Sequence, residues 1–175
     1  MNRFTVLTAM VLAGTAARLI PHPPDFSPIA SLALFGGATF ASKRAAFLVP
    51  LAAMFLSDLV LGFYVITPVI YGSFALITCL GFWVRRQQTI WRLASASIAA
   101  AVLFFVATNF VFWAWGDWYP QTLSGLAECY AAAIPFFRNT LASNLFYSAV
   151  LFGVLRLAEK RWQWLAEPAP GLASS

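Results

Sequence analysis

Long apolar runs separated by short polar gaps, with Lys and Arg gathered at every second gap, leave this chain few folds to choose from. Basic residues that recur on alternate sides of apolar segments mark the cytoplasmic ends of membrane spans. Hydrophobic residues make up 61% of the 175-residue chain and charged residues only 10%, and the mean hydropathy is +0.78. A soluble domain of this size carries far more charge. The net charge of +5 does not indicate nucleic acid, because the basic residues flank apolar runs and form no basic stripe or binding motif.

Six apolar segments can be drawn, near residues 4–20, 29–41, 45–66, 68–84, 93–115 and 135–157. A span needs about 20 apolar residues. The second segment is shorter than that and contains Gly36-Gly37, which allows close packing or a bend. With six crossings and a cytoplasmic N-terminus, nine of the eleven basic residues lie inside: Arg3, Lys43, Arg44, Arg85, Arg86, Arg92, Arg156, Lys160 and Arg161. Only Arg18 and Arg138 remain outside. A second segment that failed to cross would put Lys43 and Arg44 outside as well. The expected fold is therefore an all-α integral membrane protein, a six-transmembrane-helix bundle with both termini cytoplasmic, in a bacterial inner membrane. Residues 1–165 form its single domain, and residues 166–175, rich in Pro, Ala and Ser, form a disordered tail.

The first segment also resembles a secretory signal, with Arg3, an apolar run and small residues at 13–17. Against cleavage, the run continues through Leu19-Ile20. Ala9, Ala13 and Ala17 recur every four residues, a stripe suited to close helix packing in a membrane.

Most polar residues left within the apolar runs fall near the outer face. The first outer loop, residues 18–28, holds four prolines and presents His22 and Asp25 on a stiff path. Asp58 lies about 20 Å along the third helix, where a carboxylate suggests either function or a pair with Arg18 or Arg138. Asn109 ends near the same face, as do Arg138, Asn139 and Asn144. Arg138 defies the charge rule, which suggests an anionic group on a ligand, or Asp58 or Glu128, as its partner. Pro135 suits the first turn of the sixth helix. Trp113, Trp118 and Tyr119, in the fifth outer loop with Glu128 and Tyr130, read as an interfacial belt or as a stacking wall for a flat ligand. Cys79 reads as buried packing at mid-depth, and Cys129 lies near the outer surface. The two cysteines give no disulfide framework or metal motif.

Three strings are distinctive: residues 18–30 followed by Leu34-Phe-Gly-Gly, residues 56–64, and residues 134–140. Together they resemble a family of small bacterial membrane proteins described as transport proteins, over nearly the whole chain before the tail. The six-helix plan also resembles the substrate-binding S-components of energy-coupling-factor (ECF) vitamin transporters. That resemblance implies an outer-face vitamin site formed by the loops after the first, third and fifth helices. It implies a docking role for Ala9, Ala13 and Ala17 against an energy-coupling membrane subunit that works with ATPases. It also makes cobalamin one candidate ligand, with Cys79 or Cys129 near its cobalt.

The expected function is uptake of a small vitamin-like or cofactor-precursor molecule, as a binding subunit or solitary transporter. Arg18, His22, Asp25, Asp58, Asn109, Arg138 and Asn139 would orient the ligand, and the aromatic rings would stack on it. No Walker A, GxSxG or HExxH sequence occurs, so any ATP-driven step falls to another protein and the chain reads as no enzyme. No cofactor is expected. The alternative is a structural or assembly protein whose outer polar residues only pair with one another.

Overall fold

The computed structural model describes residues 2–166. Six α-helices follow one another: α1 (Arg3–Ala17), α2 (Ile29–Thr39), α3 (Lys43–Leu61), α4 (Thr67–Arg86), α5 (Ile90–Trp115) and α6 (Leu123–Arg161). A short 3-10 turn, Gln163–Leu165, lies at the end of the described chain, and the expected tail, residues 166–175, lies outside the described residues apart from Ala166. There is no strand among the described residues. α3, α4, α5 and α6 are each long and apolar enough to cross a membrane, with 22–33% of their apolar windows buried within the bundle. The remaining apolar surface, including Leu48, Phe55, Leu59, Val102, Val106 and Val154, faces outward, as expected where lipid is the solvent.

Polar contacts fix the alternation. At one end Arg3 of α1 pairs with Glu159 of α6 at 2.6 Å and also donates to the carbonyl of Leu165. Arg85 at the end of α4 donates to the carbonyl of Phe40, just past α2, at 2.9 Å. Arg156 of α6 donates to the carbonyl of Gln88, between α4 and α5. The start of α1 and the ends of α2, α4 and α6 therefore share one face of the bundle, and this is the basic end. Arg85 does more than add charge: it satisfies a carbonyl that the end of α2 leaves unpaired.

α2 is the centre of the fold. From Ala30 to Thr39 every residue is buried, although the helix is only 11 residues long. Its glycines explain how it fits. A Cβ on Gly37 would lie 2.9 Å from the Cα of Gly81 in α4, and one on Gly36 would lie 2.9 Å from the carbonyl oxygen of Ala46 in α3. The backbones of α2, α3 and α4 meet where these side chains are missing. Along the other flank, Ser97 donates to Ser148 at 2.9 Å and Ser31 donates to the Asn144 carbonyl at 3.1 Å. These bonds join α5 and α6 to α2 without leaving polar atoms bare in an apolar core.

The sixth segment differs most from expectation. α6 begins at Leu123, with Thr122 as its N-cap, and runs 39 residues, about 58 Å against an apolar bilayer core of about 30 Å. Glu128 and Tyr130 thus sit on a helix rather than in a loop, and Pro135 is internal rather than in a first turn. The extra arm is held to α5: the Tyr130 hydroxyl donates to the Val106 carbonyl at 2.8 Å, and its ring meets Phe105 edge-on at 5.5 Å. Cys79 faces outward instead of packing inside, whereas Cys129 is buried against α5 near the Asn109 carbonyl.

Candidate functional site

At the end opposite the basic cluster, α1, α3, α4, α5 and α6 spread around the start of α2. The opening is a cavity of about 600 Å³. Arg18, His22, Asp25 and Asn109 line it, so four of the expected site residues come together. Its floor is the first turn of α2, with Ile29 and Ala30, and Asn144 of α6. No side chain caps α2 there, and the Ser27 hydroxyl, also in the wall, is buried without a hydrogen-bond partner. Six phenylalanines line the wall, Phe74, Phe104, Phe105, Phe112, Phe136 and Phe137, beside Tyr64 and aliphatic residues such as Leu61, Ile66 and Ile70. Phe105 and Phe137 lie 4.7 Å apart across the α5–α6 seam, and Phe74 stacks on Phe104 at 6.2 Å.

Asp58 is expected to touch the ligand, but it lies behind the wall. Arg18 Nη1 donates to Asp58 Oδ1 at 2.5 Å and to Ser57 Oγ at 2.6 Å, while the Tyr71 hydroxyl donates to Asp58 Oδ2 at 2.8 Å. The carboxylate thus binds α1, α3 and α4 together and turns one edge of Arg18 away from the cavity. Arg18 is the partner of Asp58, and Arg138 is not. Arg138 is exposed, lies outside the cavity, and makes no ion pair with Asp58 or Glu128 among the described residues.

Asn139 acts at one remove. Its Nδ2 donates to the Pro24 carbonyl at 2.9 Å, which fastens the proline loop to α6. Phe26 packs against Phe146 and Tyr147 on the same helix, at 6.0 and 5.8 Å. Between these anchors Asp25 takes a left-handed backbone conformation, φ 59°, which Asp and Asn tolerate better than other side chains. Asp25 stays open to solvent at the rim, but the wall beside it removes some water from its carboxyl and raises its pKa from the ordinary value.

The end of α5, which holds Trp113, and the loop after it do not provide the expected stacking wall. Trp113 Nε1 donates to the Pro120 carbonyl, Tyr119 turns its edge to Phe112, and Trp118 is 80% exposed. None of the three lines the cavity. Phenylalanines do so instead, from helix positions where they pass for ordinary apolar filling. The doublets Phe104-Phe105 and Phe136-Phe137 were the available signal, since both sit one or two turns from polar groups at the same end. Ala9 and Ala13 are exposed on α1 and Ala17 is half-buried. Neither cysteine lines the cavity. Among the described residues no cluster of His, Cys, Asp or Glu is suited to a metal ion.

The raised pKa of Asp25 gives a signed expectation. Ionisation costs the folded state more than the unfolded one, so the penalty is present above the folded-state pKa and absent below the unfolded one. Asp25→Asn should therefore raise the unfolding midpoint at neutral pH and change nothing in strong acid, as thermal unfolding in detergent across a pH series would report. An equal gain at every pH would rule out this cause.

An all-helical, membrane-type bundle with a largely apolar, phenylalanine-lined cavity at one end is the class that fold and site define. Residues 1–168 match a family of unknown function (DUF6580), and the chain belongs to that family. No curated protein matches it, and no solved structure does.

Proposed function

We propose that this protein binds a small vitamin-like or cofactor-precursor molecule for uptake, as an S-component-like subunit or a solitary transporter in the bacterial inner membrane. In this reading all six helices lie in the bilayer, the basic end and both termini are cytoplasmic, and the cavity opens outward. The observation that carries the reading is the cavity. Its volume of about 600 Å³ falls in the range of small-molecule sites, and its apolar wall with a few convergent polar groups is their usual chemistry. That volume suits a molecule of one or two rings better than a corrinoid, and no thiol reaches it to meet cobalt, which argues against cobalamin. An energy-coupling subunit with ATPases would dock along the exposed Ala9 and Ala13 side of α1, where a second helix can approach closely. Catalysis forms no part of the proposal.

Mass spectrometry of small molecules released from the gently purified protein tests the reading. We expect one compound in equimolar amount. Asn109→Ala should lower its affinity about tenfold, the loss of one buried hydrogen bond. Arg138→Ala, outside the cavity, should leave affinity unchanged. A folded protein that is empty after growth in several media would favour the structural or assembly role instead.

A further inference from the structure

The charge arrangement in the cavity narrows the class of ligand, on the premise that the cavity binds a small molecule at all. Arg18, His22, Asp25 and the Tyr64 phenol are the titratable groups in its wall. Arg18 is already neutralised by Asp58, whose side chain is only 5% exposed and cannot be drawn away without losing Tyr71 as well. Arg138 stands outside the cavity. The His22 ring lies against its own loop, with Nδ1 3.1 Å from the Pro23 carbonyl.

Asp25 is different. Among the described residues it has no ion pair or hydrogen bond, and the only perturbation on its carboxyl is loss of water. Its position is set in advance by the left-handed backbone and by the flanking anchors, Asn139 on Pro24 and Phe26 on α6. An acceptor fixed before binding loses little entropy when a donor arrives. Phenylalanine rings, whose negative faces attract positive charge, line the same cavity. The Ser27 hydroxyl and the uncapped amides at the start of α2 add hydrogen-bond donors at the floor, suited to a neutral oxygen on the same molecule.

We propose that the cavity takes an organic cation, a flat ring-bearing molecule whose protonated amine or quaternary nitrogen pairs with Asp25 while its ring rests on the phenylalanines of α5 and α6. An anionic ligand of the same size is repelled by the Asp25 carboxylate, and a neutral one gains no charge pairing with it.

A charge series on a single ring tests this. Benzyltrimethylammonium, benzyl alcohol and phenylacetate are cationic, neutral and anionic. Each is titrated against the full chain in detergent, with the unfolding midpoint as readout, and the charge of any compound released from the purified protein is determined in parallel. The cation should raise the midpoint and the other two should not. Asp25→Asn keeps the left-handed backbone, so the fold survives, and it should weaken cation binding at least tenfold. A midpoint shift with phenylacetate or benzyl alcohol, or release of an anionic or neutral compound, overturns the charge assignment and leaves the binding reading standing. A cation shift that Asp25→Asn does not reduce overturns the role of Asp25 and with it the proposal. No shift with any probe and no released compound overturn both.

Discussion

Replacing Asp58 with alanine is expected to cost about 3–5 kcal/mol of folding free energy, because it leaves the Arg18 guanidinium unpaired inside the bundle. The side chains of Arg18 and Asp58 are only 13% and 5% exposed, and Ser57 and Tyr71 complete their hydrogen bonds. Taking away one charge removes the attraction but not the desolvation of the other. Replacing both by apolar residues of similar volume, Arg18→Met with Asp58→Leu, should restore most of the loss. Thermal midpoints and size-exclusion profiles of the two single variants and the double variant make the comparison. If the double variant is as unstable as the sum of the singles, the pair is not what fastens α1, α3 and α4. Ligand binding separates from stability here, because the restored double variant still lacks the Arg18 wall of the cavity.

Gly37→Leu should be equally damaging for a different reason. Its Cβ would meet the α4 backbone, with the Gly81 Cα at 2.9 Å, and a backbone cannot step aside as a side chain can. Overpacking costs typically about 1–3 kcal/mol where side chains can adjust, so a cost of about 3 kcal/mol or more is expected here. Gly81→Leu, from the facing side, should match it. Gly72→Leu and Gly153→Leu are the controls: nothing lies within 4 Å of either Cβ position, and exchanging glycine for leucine within a helix should be neutral or slightly stabilising. Loss of monodisperse protein for residues 37 and 81 but not for 72 and 153 is the expected pattern. A folded Gly37→Leu with an unchanged midpoint would mean that α2 does not touch α4 as described.

How legible a residue was depended on which physical rule governed it. Segment 29–41 matches α2 closely, because Pro28 and the polar residues 42–44 bracket it, and Gly36-Gly37 signalled close packing. That α2 would be the centre of the bundle was not legible: burial on all sides depends on partners far away in sequence. The pairing of Asp58 with Arg18 was readable as one of two options, since both lie at similar depth, but choosing between Arg18 and Arg138 needed helix rotation. The first arm of α6 was missed because Gly125, Glu128 and Pro135 interrupt the apolar pattern, whereas its helix is held by contacts to α5. Trp113, Trp118 and Tyr119 drew attention as large amphipathic rings, yet their directions are set by bonds that spacing does not reveal, such as that from Trp113, in the last turn of α5, to the Pro120 carbonyl in the following loop. The phenylalanines that do form the wall look, in sequence, like those that face lipid.

The burial of α2 also bears on how the chain is made. A helix of 11 residues reaches about 16 Å, half the apolar thickness of a bilayer, and its first amides carry no side-chain cap. Released alone into lipid it would expose those amides, and it has no surface of its own that any lipid touches in the finished bundle. Biogenesis therefore cannot treat it as an independent inserting unit. The close packing of α2 needs Gly81 of α4 in place to receive it, so the centre of the molecule is completed only after a later helix is present.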